Sequence, residues 1–459
     1  MNKIANRKKE LNLLEKSIDK KHIDTYGNLG IGKTAFLHSL CGKISCGKYL
    51  PIHVQLIKVS KLIAFLDLIA KEFDEFFQQE NYFFTFRKYI YSDGDYDIDK
   101  ANVLFGAALN AATESISIAL CFDGTEKVPC SIWEDFEENI LRFHIEIGEE
   151  TDSRLRIITA GQKRRKWTFF RMKKQVEACC LDSLDRESTK EMVQLLARQE
   201  EIDFDIENSK TIIDDIYSLT LGHPKSIKLI IQYWKELQVD NKKYQEGIAA
   251  LLIEKYIQPE FIDQAKGLIE DEHYPSSASL LSLLQHLAPL RFISTKLLRE
   301  ALSHLSSFSS FYSKKRSFFF SKLLRALQGE HLLDWNEDRE RYEFPAIVRH
   351  ILLEDLKQNK TENLIKLHQE IERVYQKLTF ESVVDRHADF IAQLYHTISW
   401  QEIDNAKRKE GHDLEETLWN EIDKYLKKYG EDAISLRSLL EADDYFNKMM
   451  NWEIFFRSL

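Results

Sequence analysis

The 459 residues carry 64 basic and 74 acidic side chains, a net charge of −10, with 44% hydrophobic and 30% charged residues. This is the composition of an ordinary globular chain, and it excludes holding nucleic acid by bulk positive charge, leaving only a local basic face for DNA. The length calls for about three domains, and only 7 prolines and 16 glycines lean the chain towards helix.

Leu11, Leu14 and Ile18 fall at helical spacing, so residues 7–20 are expected to form an amphipathic helix. A short strand follows at 22–26, then the glycine-rich stretch GNLGIGKT at 27–34, then a helix carrying Ala35, Phe36, Leu37 and Leu40. A second strand is expected at 49–59 and a helix at 61–73. The polar and aromatic residues 78–100 read as a surface excursion, and residues 101–115 as a helix. The run SISIALCFDG at 115–124 is nearly unbroken in its apolar character, as a central parallel strand would be, and RLRIITAG at 154–161 is another. Alternating strands and helices imply a doubly wound parallel sheet.

Helices dominate after residue 181, the first behind a cap at Asp185 or Ser188, and HYPSSASL near residue 275 marks a boundary. Three helical patterns at 277–288, 294–304 and 315–328 precede a hairpin at 331–344 and a helix at 346–357. Three helices and a hairpin make the plan of a winged helix. The tail from about 361 is helical and charged, without a repeat of fixed period.

Six scattered cysteines lack metal-ligand spacing and a disulfide framework, and the pair Cys179–Cys180 is expected at a strand end. The amphipathic N-terminus is not a signal peptide. No apolar run reaches the ~20 residues needed to span a bilayer. A reduced, cytoplasmic protein without a membrane partner is expected.

Gly27, Gly32, Lys33 and Thr34 fit G-x-x-x-x-G-K-[ST] between a strand and a helix. Glycines there let consecutive N–H groups turn onto a phosphate, and the following helix offers its positive end to the same oxygens. The expected ligand is ATP or ADP with Mg²⁺, held by Gly27, Asn28, Gly30, Ile31, Gly32, Lys33, Thr34, Ala35 and Thr159. Lys33 would serve the β and γ oxygens, and Thr34 and Asp123 the metal. Glu126, three residues beyond Asp123, is the candidate to activate the attacking water, with a plain loop glutamate as the alternative. Thr159 at its strand end is a candidate γ-phosphate sensor, an ordinary strand-end threonine being the other reading.

Taken in order, IANRKKEL, GNLGIGKT, IALCFDGTE, IITAG, LDSLDRESTKEMVQLL and SLTLGHPKSIKLI resemble the motifs of the STAND class of AAA+-related P-loop ATPases, to which NLR-type sensors belong. The resemblance spans residues 4–355 and implies an AAA+-like α/β ATPase core at 1–180 and a helical subdomain at 181–272. A winged-helix domain at 273–358 and a helical C-terminal region at 359–459 complete the plan. It implies an ATP-operated switch with slow hydrolysis, controlling self-association or a separate effector protein, in a bacterial signalling or defence role. The resemblance further implies that Arg7 and Pro224 contact the nucleotide: Arg7 and Glu10 stand where the family's opening motif has them, and Pro224, with Gly222, where its proline packs near the adenine.

Three departures stand beside it. The third-strand motif of the family often ends in arginine, where this chain has Gly161 and Gln162. Lys163, Arg164, Arg165 and Lys166 follow and read as a solvated basic turn, substitution for that arginine being the alternative. Pro345 stands where the family's winged helix often carries an ADP-binding histidine, and no recognisable effector domain precedes residue 7. The competing function is a DNA-associated AAA+ ATPase that places Lys314, Lys315, Arg316, Lys322 and Arg325 against phosphates. Against it, Phe318, Phe319 and Phe320 are expected to need burial.

Overall fold

The computed structural model describes residues 7–447, apart from 79–80, 93–95, 143, 145–153, 203–208, 238–243, 266–268, 270–272, 275–278, 330, 337–339, 382–384, 409–413 and 430–432. The start of the opening motif, part of the boundary near 275, the hairpin tip and the last twelve residues therefore lie outside the described residues. The chain divides into two compact units, Met1–Gln232 and Tyr233–Leu459.

In the first unit, β1 (His22–Tyr26), β2 (Leu50–Gln55), β3 (Ile118–Asp123), β4 (Leu155–Gly161) and β5 (Val176–Cys180) form one sheet. Its order is β2-β3-β4-β1-β5, with every neighbouring pair parallel. Parallel strands need crossovers, and the crossovers cover both faces, so β3 and β4 are buried along their whole length. The helices α1 (Lys8–Ser17) and α2 (Lys33–Ile44) cover one face, where Leu14, Phe36, Leu37 and Leu40 pack with Cys121, Ile158 and Ala160. The other face takes α3 (Leu62–Phe77), α4 (Phe84–Ile90), α5 (Ile98–Ser115) and α6 (Cys130–Phe136), packed on Leu120, Phe122 and Ile157. This is an open, all-parallel α/β sheet with helices on both faces. Cys179 is buried and Cys180 exposed at the end of β5.

The stretch 78–100 is more than a surface excursion. It contains α4, whose Phe86 is fully buried with Phe83 against Phe105 of α5. Mixed aromatic and charged residues hid the helix, because one buried face of seven residues leaves little periodicity to read. Helices Arg186–Gln199, Ser209–Thr220 and Pro224–Gln232 close the unit. The first is capped by Asp185, whose Oδ1 accepts from the Ser188 N–H at 2.7 Å.

The second unit is mainly helical. Helices Leu280–Leu287, Thr295–His304 and Ser317–Gly329 lead to the antiparallel pair β6 (Asp334–Asn336) and β7 (Arg341–Glu343), and Ile293 bridges to Tyr342. Ala346–Asn359 follows, then the longer helices Thr361–Glu381, Arg386–Arg408 and Leu414–Tyr429. The expected burial of three phenylalanines is corrected here: Phe320 is buried and Phe319 half-buried, but Phe318 is 79% exposed. On a helix, successive side chains point about 100° apart, so three in a row cannot share one buried face. No described helix is long and apolar enough to cross a membrane.

Candidate nucleotide-binding site

The glycine-rich loop leaves β1 at the carboxyl edge of the sheet, where open α/β sheets bind ligands. Its first residue is anchored, since the Gly27 N–H donates to the Gly161 carbonyl at 3.2 Å. A Cβ at Gly27 would lie 2.5 Å from the Leu181 carbonyl oxygen. Gly32 caps α2 with φ of +93°, a left-handed backbone that favours glycine, and a Cβ built there would meet nothing within 4 Å. The space beside Gly32 is thus open, not a packing contact. The first α-helical bond runs from the Phe36 N–H to the Gly32 carbonyl, so the N–H groups of Lys33, Thr34 and Ala35 precede the ladder and lack an intrahelical acceptor. Free N–H groups at a helix start, with open space before them, suit a phosphate.

The Lys33 ammonium donates to the carbonyls of Gly27, at 2.8 Å, and Asn28, at 3.0 Å. Burial lowers its pKa, while the carboxylates of Glu126 and Asp123 oppose that shift. The Lys33 ammonium on the Gly27 carbonyl, the Gly27 N–H on the Gly161 carbonyl and Glu126 beside Gly161 put lysine and carboxylate at the same edge of the sheet. Asp123 ends β3 and is buried; by strand alternation it shares the face of Cys121, which packs on α2. Thr34, in the first turn of α2, and Ala35 and Asn28 are exposed, whereas Ile31 is buried in the core beneath the loop. Thr34 and Asp123 supply hard oxygen donors on one side of the sheet, a donor set that fits Mg²⁺.

Glu126 sits just past Asp123 in a short 3-10 turn, and its Oε2 accepts from the Gln162 N–H at 3.2 Å. That bond aims the carboxylate from the end of β4. It also explains the missing arginine at 161. A Cβ at Gly161 would lie 2.0 Å from Thr125 Oγ1 and 3.5 Å from Glu126 Oε2, so the turn carrying Glu126 occupies the place of a side chain.

Other residues are placed differently. The Thr159 hydroxyl donates to Asp24 Oδ1 at 2.7 Å, and Thr159 pairs in register with Phe122, whose side chain lies on the face away from α2. The structure does not bring this hydroxyl to the loop. Arg7 is buried, and its guanidinium donates to the Asp182 carbonyl and to Glu10 Oε1, tying the start of α1 to the segment after β5. Pro224 is the first residue of Pro224–Gln232, the position where its missing N–H costs nothing. The preceding Gly222 has φ of +72°, and a Cβ there would lie 1.9 Å from the Leu184 carbonyl oxygen.

The basic turn is corrected at one position. Lys163, Arg164 and Lys166 are exposed, but the Arg165 side chain is 7% exposed, lying over the rings of Trp133 and Trp167 at 4.3 and 5.0 Å. It donates to Glu137 Oε1 at 3.1 Å, and its own N–H donates to Asp24 Oδ2 at 2.9 Å. Arg165 is committed to the core on the far face of the sheet. Sequence reasoning passed over His223, whose Nε2 lies 2.8 Å from the Leu29 carbonyl of the loop. Its one signal was a third glycine, Gly30, at a position the loop pattern leaves open.

No protein-family model matches the chain, and no curated protein does. Among solved structures, it is similar to the Walker-type ATPase paby2304 of Pyrococcus abyssi, at 12% identity and a TM-score of 0.44, over 76% of this chain and 96% of that one. It is also similar to Cdc6p from Pyrobaculum aerophilum, at 14% identity and 0.39, over 78% and 96%. The Thermotoga maritima RuvB Holliday junction branch migration motor is similar too, at 13% and 0.35, over 75% and 93%.

Proposed function

We propose that the chain is an ATP-binding and ATP-hydrolysing switch of the STAND type. The observation that carries the reading is that Lys33, the buried Asp123 and Glu126 stand at one edge of the sheet, linked through Gly27 and Gly161, beside the open space at Gly32. In this reading the N–H groups at the start of α2 and the Lys33 ammonium hold the phosphates. Mg²⁺, held by Thr34 and Asp123, would neutralise phosphate charge as the bond breaks. Glu126, aimed by the Gln162 N–H, orients the attacking water. Pro224 offers a flat apolar ring to the adenine, and ADP then favours closure of the helices at 186–232. Residues 273–358 serve as a winged helix, and the output is self-association or engagement of a separate effector.

The test is hydrolysis with Mg²⁺ by wild type and Glu126→Gln. Wild type is expected to turn over slowly and Glu126→Gln to retain ATP uncleaved. Absence of both binding and hydrolysis in the wild type would refute the reading.

One observation favours a second reading, a DNA-associated ATPase. Phe318 stands exposed among the exposed cations Lys314 and Arg316, an aromatic beside phosphate-binding charge. The test is salt-dependent binding to duplex DNA.

A further inference from the structure

The phosphate-loop pattern requires Gly27 and Gly32 but leaves the position of Gly30 open. Yet Gly30 has φ of +79°, and a Cβ there would lie 2.7 Å from His223 Cε1, 2.9 Å from its Nε2 and 2.9 Å from Lys225 Cβ. The third glycine is the seat of an imidazole that arrives from a residue far along the chain. Two bonds are made there to consecutive loop carbonyls. His223 Nε2 lies 2.8 Å from the Leu29 oxygen, and the Lys225 N–H donates to the Gly30 oxygen at 3.2 Å.

The hydrogen bonds also fix the tautomer. The Ser226 N–H donates to His223 Nδ1 at 3.3 Å, so Nδ1 is the acceptor and the proton resides on Nε2, facing the Leu29 carbonyl. His223 is 1% exposed, and burial holds its pKa down at about 4, with the charges of Lys225 and Lys33 adding to the effect and the Leu29 carbonyl opposing it. The ring is therefore a neutral, oriented donor at ordinary pH.

We infer that His223 is a positioning residue that clamps the phosphate loop to the helix Pro224–Gln232, so that loop shape and closure of the helical segment 186–232 are one equilibrium. The inference rests on the nucleotide-binding reading of the loop. Because the peptide group is planar and trans, pinning the Leu29 carbonyl to His223 turns the Gly30 N–H to the opposite side of that peptide unit. A loop that binds anions through N–H groups depends on such orientations. Any ligand that prefers this loop shape then prefers the helical segment in contact with it, and the preference is reciprocal.

The experiment compares wild type, His223→Ala and His223→Gln, whose amide nitrogen can take the place of Nε2. The readouts are affinity for a fluorescent ADP analogue and proteolysis of residues 186–232 with and without ADP. His223→Ala is expected to lose about tenfold in affinity, the scale of one buried hydrogen bond, and to lose ADP-dependent protection. His223→Gln should restore most of both. A merely structural histidine would instead lower the unfolding temperature equally with and without ADP, leaving affinity unchanged, and that result overturns the clamp. If wild type itself binds no ADP, the reading of the loop has failed, which is a separate outcome. Should His223→Ala not fold, Gly30→Ala in the wild-type and His223→Gln backgrounds decides: equal losses of affinity in the two backgrounds contradict the clamp, and a smaller loss beside Gln supports it.

Discussion

The hydroxyl of Thr159 and the carboxylate of Asp24 meet at 2.7 Å across neighbouring strands, both buried, on the face of the sheet away from α2. Asp24 also accepts from the Arg165 N–H, and burial pushes its pKa up against these two bonds. A strand-end hydroxyl that the sequence offered as a phosphate sensor is thus a fixture of the sheet. Thr159→Val should cost about 1–3 kcal/mol of stability, the scale of a buried hydrogen bond broken at one partner. It should leave ADP affinity unchanged. Urea unfolding and ADP titration check the two halves; lost ATP-over-ADP discrimination at wild-type stability would restore the sensor role.

Gly161 should tolerate no side chain. Alanine would place Cβ 2.0 Å from Thr125 Oγ1, and the turn that aims Glu126 would have to move. Displacing a catalytic group by an ångström costs about a hundredfold. Gly161→Ala is therefore expected to slow ATP hydrolysis by one to two orders of magnitude, with ADP affinity within about threefold of wild type. Steady-state kinetics beside a binding titration separate the effects, and normal kcat would show that the turn accommodates a Cβ.

Acid should weaken the first unit at a definite place. His22 is held down to about 3 by burial and then by Arg156, and its Nδ1 accepts from the Ile157 N–H at 3.0 Å; His223 is held at about 4. Both are depressed below 6.5, so between 6.5 and those values the unfolded chain binds more protons than the folded one. Their stabilising contribution is complete above about 6.5 and is lost as the pH falls towards 4. For His223 the loss is about 3 kcal/mol at about 1.4 kcal/mol per pH unit. Urea midpoints at pH 7 and pH 4.5 measure it, and His223→Gln should flatten part of the slope. A midpoint that does not move between those pH values would contradict this burial.

Asp123→Ala and Glu126→Gln should fail differently. Removing the buried Asp123 takes away a metal donor, so Mg²⁺ should no longer strengthen ATP binding. Glu126→Gln keeps the Gln162 N–H bond through its amide oxygen but cannot take a proton. Mg²⁺-dependent binding with blocked hydrolysis is the expected signature of the latter alone.

The helix that carries Phe318 tests the DNA reading. If Lys314 and Arg316 meet phosphates, binding to duplex DNA should weaken steeply with salt, and Phe318→Ala with both cations replaced should abolish it. Binding absent at low salt would leave the exposed ring to a protein partner.

Much of the first unit was legible because its signals are local. Fixed glycine spacing marks the loop, and fully buried parallel strands write themselves as apolar runs, as at Ile118–Asp123 and Leu155–Gly161. What failed depended on register or on distance along the chain. Which face Thr159 takes is set by its pairing with Asp24 and Phe122. Arg165 looked solvated among three other cations, because its partners Trp133, Trp167 and Glu137 are remote or apolar. What packs against Gly30 is His223, far along the chain and so not legible from the loop itself.

The central claim is that the loop at Gly27–Thr34 binds a nucleotide through Lys33. Titration of ADP, monitored calorimetrically, into wild type and Lys33→Ala tests it most directly, with circular dichroism to verify that both are folded. Wild type should bind one ADP per chain, and Lys33→Ala should bind at least about a hundredfold more weakly, as expected where a charge-assisted phosphate contact is lost. Equal affinity in the two proteins, or no binding in the wild type, would contradict it.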